Sequence, residues 1–193
     1  MHGGGTLSYH LSQINKKASF TLVDYVEEAI AIAKDINSAN KHRFSFDIDN
    51  VYALKLTKNQ FDFVFCWQTL SWLENPREAL LQLINIAKPK GKIYLSSLFN
   101  LDQDVDIYSK VYDRSRASGK NDNYSFYNTY SKHTVSNWLK DKVDSFTIHK
   151  FETPIPFEYS GRGIGTYTKK CEDGYMQISG GMLMNWGILE ITK

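Results

Sequence analysis

Short apolar runs alternate with segments of helical periodicity over the first hundred residues. The strand-like runs are Ser19–Val23, Arg43–Asp47, Phe61–Cys66 and Lys92–Leu98. Apolar side chains recur at spacings of three and four residues, as in amphipathic helices, within Thr6–Gln13, Tyr25–Ile36 and Pro76–Ala87. Phe61–Cys66 is apolar enough for both faces to be covered, as a central parallel strand requires. This alternation predicts an α/β fold, with a mostly parallel sheet and helices on both faces.

The second half of the chain is more polar and richer in aromatic residues. Residues 100–130 lack a clear period over most of their length, which predicts one insertion, and residues 154–181 are predicted to form another. In the latter, the sequence Glu172-Asp173-Gly174 predicts a hairpin turn, because Asp-Gly supplies the positive φ that the turn needs. Ser131 is the predicted N-cap of a helix through Leu139. The last predicted strands are Phe146–Phe151 and Trp186–Ile191.

Length and composition indicate a single domain over residues 1–193. The 23 basic and 21 acidic side chains leave a net charge of +2, which favours neither nucleic acid nor a membrane as partner. No apolar run approaches the roughly 20 residues of a membrane span and no signal peptide is recognisable, so a cytoplasmic protein is expected. Cys66 and Cys171 lie far apart, so no metal site is expected, and Cys66 is predicted to be a buried small hydrophobe.

The N-terminal segment carries a candidate nucleoside-binding pattern. Gly3, Gly4 and Gly5 precede the first helix, and Asp24 ends the next strand nineteen residues after Gly5. Glycines allow backbone N–H groups to approach a ligand, and a carboxylate at a strand end can bind both ribose hydroxyls. Alternatively, Asp24 caps the helix that follows. Asp47 ends the next strand, where Asp49 competes for the same role.

At this point the residues resemble a class I S-adenosylmethionine-dependent methyltransferase. The matching features are the glycine run, the acids that end the second and third strands of that family, and three further segments. Those segments are Phe61–Phe65, Trp72–Leu80 and Ala87–Leu95. The resemblance covers the first half of the chain best, and it implies that Trp186–Ile191 runs antiparallel to its neighbours.

The resemblance also implies S-adenosylmethionine as cofactor and a small-molecule acceptor of the methyl group. Asp24 would bind the ribose hydroxyls, Asp47 would accept from the adenine amino group, and Cys66 to Gln68 would line the floor near the sulfonium. The full implied cofactor-binding set is Gly3, Gly4, Gly5, Asp24, Tyr25, Asp47, Ile48, Cys66, Trp67 and Gln68.

Two features depart from the family pattern. The family's first strand, which precedes the glycine loop, has no counterpart in this sequence, and Lys90 stands where the family usually has glycine before Gly91. That first strand normally lies in the middle of the sheet, so the strands ending at Asp24 and Cys66 are expected to have unpaired edges. An N-terminally truncated chain, or a homodimer in which one copy borrows a strand from the other, is therefore expected.

The acceptor side is predicted to lie in the two insertions, whose aromatic residues supply apolar walls and hydroxyl groups. These residues are Tyr112, Tyr124, Phe126, Tyr127, Tyr130, Tyr167 and Tyr175. His133 is the candidate general base for an O- or N-methylation, or else an exposed first-turn histidine. Trp67 is predicted to meet ligand and Trp72 to pack in the core. The alternative function is a non-catalytic binding or partner protein that has lost the complete cofactor site.

Overall fold

The computed structural model describes residues 4–112, 124–151, 167–172, 174–179 and 182–193. It has the predicted α/β architecture and divides into two compact units, Met1–Thr57 and Lys58–Lys193. No described helix has the length and apolar character needed to cross a membrane.

The first unit is a βαβ unit preceded by a helix. Helix α1 covers Thr6–Ile14, strand β1 Phe20–Asp24, helix α2 Glu27–Ile36 and strand β2 Phe44–Ile48, with a 3₁₀ segment at Ser38–Arg43 before β2. Strands β1 and β2 are parallel, in a register that pairs Phe20 with Phe44 and Asp24 with Ile48. Leu22 of β1 and Ile30 and Ala33 of α2 form the buried centre of the unit.

The side chain of Arg43 links the C-terminal end of α1 to the segment before β1 through hydrogen bonds. Its guanidinium donates hydrogen bonds to the carbonyl oxygens of Ser12, Asn15 and Ala18, and lies 5.8 Å from the centre of the Phe20 ring. The last carbonyls of a helix lack partners within the helix, so a fork of N–H donors at this point stabilises the helix end.

The second unit contains the larger sheet. Its strands are β3 Phe61–Trp67, β4 Ala87–Asn100, β5 Lys110–Tyr112, β6 Tyr124–Phe126, β7 Tyr130–Ser131, β8 Ser145–Phe151, β9 Tyr167–Cys171, β10 Gly174–Ser179 and β11 Met182–Thr192. Helix α3 covers Pro76–Ile86 and helix α4 Lys132–Leu139. Strands β3, β4, β11, β10 and β9 are neighbours in that order, β7 pairs with β4, and β8 pairs with β11.

The predicted antiparallel last strand is confirmed. Strand β11 pairs antiparallel with β4 and β8, whereas β3 pairs parallel with β4. The larger sheet is therefore mixed rather than mostly parallel, because β8, β10 and β9 add further antiparallel pairs. Its buried face carries Val64, Ile93, Leu95, Leu189 and Ile191, and apolar residues of α3 are buried in the same unit.

Two local predictions are confirmed. Ser131 is the N-cap of α4, and its hydroxyl accepts a hydrogen bond from Thr134 N at 3.2 Å. Strands β9 and β10 pair antiparallel as the predicted hairpin, and Gly174, the first residue of β10, has a positive φ of +129°. In the described part of the 100–130 insertion, β5 and β6 pair antiparallel, which the lack of a clear period in the sequence did not predict. Residues 113–123 and 152–166 lie outside the described residues.

The structure explains why the family usually has glycine at the position of Lys90. Lys90 has a φ of +64°, in the left-handed region that favours glycine. The Cβ of an alanine at position 91 would lie 2.8 Å from the carbonyl oxygen of Lys88, so Gly91 is needed for space. The family's glycine at the position of Lys90 is thus explained by backbone conformation.

We expect Lys90→Gly to stabilise the protein by about 0.5–1 kcal/mol, because relief of left-handed strain exceeds the entropy gained by the unfolded chain. Urea titration of both proteins measures the difference. Gly91→Ala is the matched control and should be destabilising. An unchanged or lower urea midpoint for Lys90→Gly would show that this backbone is not left-handed in solution.

Two parallel strands have one unpaired edge each. Among the described residues, β1 pairs with β2 alone and β3 pairs with β4 alone. Alternate side chains of β3 are also exposed: Phe63 is 58% and Phe65 is 41% exposed. Unpaired edges with apolar side chains favour pairing with a further strand.

We therefore expect the 193-residue chain to self-associate at micromolar concentration. Phe63→Lys should weaken that association by about three- to tenfold, since a cross-strand apolar pair is worth up to ~1 kcal/mol and a charge opposes edge pairing. Analytical ultracentrifugation measures both proteins, with Ile14→Lys as a control at an exposed apolar position on α1. A monomeric chain that melts cooperatively contradicts this expectation.

Candidate functional site

Asp24 and Asp47 lie at the same end of the first unit. They are at the carboxyl ends of two parallel strands, which is where open α/β sheets bind ligands. The register pairs Asp24 with Ile48 and Val23 with Asp47, so the two carboxylates leave the sheet on opposite faces. A ligand that contacts both has to lie across the strand ends.

The structure shows that Asp24 organises the start of the helix that follows it, which is one of the two roles predicted for this residue. Its Oδ1 accepts a hydrogen bond from Val26 N at 2.9 Å, at the entry to α2. One carboxylate oxygen therefore organises the turn, and Oδ2 is left for a ligand. The neighbouring rim side chains are apolar and exposed, Tyr25 at 76% and Ile48 at 51%. Together these groups could bind a sugar hydroxyl beside a flat ring.

Asp49 is occupied by its own loop. Its carboxylate accepts backbone hydrogen bonds from Asn50 N and Lys55 N, both at 2.8 Å. The pKa of Asp49 is lowered below its ordinary value, and the largest cause is the hydrogen bond from the backbone N–H of Lys55. Asp47 is exposed and takes part in none of these bonds. The competition between the two acids therefore favours Asp47 as the ligand-facing group.

The structure does not bring the described glycines to this rim. Gly5 has a φ of +72°, and a Cβ there would lie 2.7 Å from Asn37 Nδ2 and 3.0 Å from Ala33 Cβ. Asn37 Nδ2 also donates to Gly5 O at 3.4 Å. Because α2 runs from the carboxyl end of β1 back to the start of β2, its last turn lies at the opposite end from Asp24. Gly5 is needed here for close packing on α2, and Gly3 lies outside the described residues.

In the second unit, the end of β3 combines a buried thiol with a strained residue. Cys66 is buried, and Trp67 is 37% exposed. Gln68 has a φ of +51°, and its N–H donates to Ser96 O at 3.0 Å. A left-handed non-glycine residue costs about 1–2 kcal/mol, and such residues cluster at functional sites. Trp67 and Gln68 are therefore the ligand-accessible members of this predicted group.

His133 lies in the first turn of α4, next to a carboxylate that the sequence analysis did not identify. Its Nδ1 is 3.8 Å from Asp104 Oδ2, and both side chains are about two-thirds exposed. Asp106, two residues further on, accepts from Ser131 N at 2.6 Å and from Thr134 Oγ1. The Nδ1–Oδ2 separation is too long for a hydrogen bond, so Asp104 is an electrostatic neighbour of an exposed His133 ring.

Two aromatic predictions are wrong. Tyr130 is fully buried, edge-on to Trp138, and donates from its hydroxyl to Leu70 O at 3.0 Å, so it belongs to the core. Trp72, predicted to be core, is 41% exposed and lies edge-on to Tyr127. Whether these rings are buried depends on the contacts between the 3₁₀ segment Leu70–Trp72 and residues 127–130. Such contacts join residues far apart in sequence, so the spacing of apolar residues does not predict them.

Comparison with known proteins identifies the family. Residues 3–150 match the family described as "Methyltransferase domain". The chain is 32% identical over 99 residues to the mitochondrial ubiquinone biosynthesis O-methyltransferase of Schizosaccharomyces pombe, covering 50% of this chain and 35% of that protein. It is 26% identical over 96 residues to a ubiquinone biosynthesis O-methyltransferase of Coxiella burnetii, covering 50% and 40%. The chain thus spans two fifths or less of the length of these curated relatives.

Solved structures share the fold. A SAM-dependent methyltransferase from Methanosarcina mazei superimposes with a TM-score of 0.61 at 15% identity, covering 99% of this chain and 88% of that one. The cyclase SpnF superimposes with a TM-score of 0.59 at 16% identity, covering 76% and 51%. On the match over residues 3–150, this chain belongs to the methyltransferase-domain family, and it shares the Rossmann-like fold of the solved methyltransferase from Methanosarcina mazei.

The buried thiol gives a direct test of the β3 end. Burial raises the pKa of Cys66 to about 11, so at neutral pH its thiolate fraction should be roughly a hundredfold below that of an exposed cysteine. We expect iodoacetamide to alkylate the Cys66 peptide about a hundredfold more slowly in the folded protein than in urea, as followed by mass spectrometry. Equal rates in both conditions would place Cys66 at the surface.

Proposed function

We propose that this protein binds S-adenosylmethionine and transfers its methyl group to a hydroxyl or amine of a small molecule. The observation that carries the proposal is the pair Asp24 and Asp47 at the carboxyl end of parallel strands, in a chain of the methyltransferase-domain family. The ubiquinone O-methyltransferase relatives support a small-molecule hydroxyl as acceptor.

The first unit is proposed to bind the nucleoside. Asp24 accepts from the ribose hydroxyls through Oδ2, while Oδ1 keeps its bond to Val26 N. Asp47 accepts from the adenine amino group, and the exposed Tyr25 and Ile48 side chains pack against the ring. In the second unit, Trp67 and Gln68 are proposed as cofactor contacts, each to be tested by its own substitution.

Methyl transfer places modest chemical demands on the protein. The cofactor supplies a methyl group on a sulfonium whose leaving group is a neutral thioether, so positioning supplies most of the acceleration. A base is needed when the acceptor is a weakly acidic hydroxyl. We propose His133 for this role, because it is an exposed imidazole with a carboxylate, Asp104, 3.8 Å away.

One observation favours a second candidate function, a non-catalytic protein with this fold. Gly5 packs on the last turn of α2, away from Asp24, so this glycine does not take the position beside the rim that the resemblance implied. Binding and turnover experiments distinguish the two functions.

Asp24→Asn separates the ligand role of Asp24 from its role at the helix entry. The amide oxygen keeps the acceptor for Val26 N, so stability should change little, whereas loss of charge should weaken S-adenosylmethionine binding by about 1.5–3 kcal/mol. Isothermal titration calorimetry measures affinity and thermal melting measures stability. Asp35→Asn, at the opposite end of α2, is the matched control for charge removal.

The outcomes select between the functions. Equal affinity in Asp24→Asn and wild type would mean that Asp24 only organises the turn into α2. Tritium transfer from labelled S-adenosylmethionine to catechol, a simple phenolic acceptor, would support the enzyme. Absence of cofactor binding by the wild-type chain would support the non-catalytic function.

A further inference from the structure

Asn128 is a buried side chain that bridges two segments distant in sequence. It is 1% exposed. Its Nδ2 donates to Leu73 O at 3.0 Å, its Oδ1 accepts from Ser109 N at 3.1 Å, and its backbone N–H donates to Ser71 O at 2.8 Å. The bridge therefore needs a side chain that carries both a hydrogen-bond donor and an acceptor, as an amide does.

The first segment is the loop of residues 68–73, which follows β3 and is called the floor loop here. It begins at the strained Gln68, whose N–H donates to Ser96 O. Ser71 joins the loop to β4, because its hydroxyl lies 2.6 Å from Ser97 Oγ and accepts from Leu98 N at 3.2 Å. One side of the floor loop is therefore attached to the central strand.

The second segment is the two-stranded ribbon of residues 107–112 and 124–129, called the ribbon here. Ile107 and Thr129 exchange backbone hydrogen bonds at 2.9 Å, and Tyr127 N donates to Ser109 O at 2.9 Å. Asn128 lies on this ribbon and contacts the floor loop, and Tyr130 adds one more bond, to Leu70 O. The ribbon and the floor loop therefore meet at Asn128.

We infer that Asn128 is a positioning residue that couples the floor loop to the ribbon. The inference rests on the proposed function, in which Trp67 and Gln68 contact the cofactor and the 100–130 insertion contacts the acceptor. Burial excludes water from the bridge, so breaking one bond leaves an unpaired polar group inside the protein. Displacements near 1 Å between reacting groups cost on the order of 10²-fold in rate, so a rigid link between the two segments is valuable.

The test compares Asn128→Asp with Asn100→Asp. The first keeps an acceptor for Ser109 N but loses the donor to Leu73 O. The second removes a similar amide donor, from Asn100 Nδ2 to Val105 O, in a buried residue whose side-chain bonds stay within residues 100–105. Hydrogen exchange is followed by mass spectrometry with and without S-adenosylhomocysteine, whose affinity is measured by calorimetry.

In the wild type and in Asn100→Asp, S-adenosylhomocysteine should slow amide exchange about fivefold in both the floor loop and the ribbon. In Asn128→Asp it should slow exchange in the floor loop alone, with affinity within about twofold of wild type. Ribbon protection that persists in Asn128→Asp, or is absent from the wild type, overturns the coupling. A wild-type chain that does not bind S-adenosylhomocysteine overturns the proposed function and the coupling with it.

Discussion

The second unit depends on the backbone and side chains of β4. This strand pairs with β3 on one side and β11 on the other, so its peptide groups are satisfied by the sheet. Its apolar residues Ile93, Leu95 and Phe99 are fully buried, and each large apolar side chain so buried contributes roughly 1.5–3 kcal/mol. Two residues of the same strand bond to the loop after β3: Ser96 O accepts from Gln68 N, and Ser97 Oγ lies 2.6 Å from Ser71 Oγ. The position of this loop is therefore set by the sheet.

In the first unit, the structural role of Asp24 is compatible with the ligand role proposed for it. Oδ1 of Asp24 accepts a hydrogen bond from Val26 N at the start of α2. This bond holds the carboxylate in one orientation, so the position of Oδ2 is fixed as well. A preorganised acceptor binds a hydroxyl at a lower entropic cost than a mobile one. Asp49 shows the opposite outcome, because both of its oxygens are used by the loop that follows β2.

Family and activity are separate conclusions for this chain. Membership of the methyltransferase-domain family rests on the match over residues 3–150, and the fold agrees with solved methyltransferases. Activity is a separate proposal, which cofactor-binding and turnover experiments test. The packing of Gly5 against Ala33 and Asn37 bears on cofactor binding, because it places this glycine away from Asp24.

The sequence by itself determined the features that depend on neighbouring residues. The helix and strand periods predicted the four α-helices and most of the strands found in the described part of the chain, because burying one face imposes a fixed repeat. The Ser131 cap and the hairpin turn before Gly174 were predictable because their hydrogen bonds and φ values involve residues within a few positions. The positions of Asp24 and Asp47 at the ends of β1 and β2 were also predictable, because each directly follows a short apolar run in the sequence.

Only the tertiary structure decided features that depend on distant contacts. Gly5 meets Ala33 and Asn37, Tyr130 meets Leu70, and Asn128 meets both Ser109 and Leu73. No local pattern encodes these pairs, because hydrogen bonds and close packing depend on distance in space. The left-handed φ of Lys90 and Gln68 likewise follows from chain paths that the surrounding strands impose on residues without that intrinsic preference.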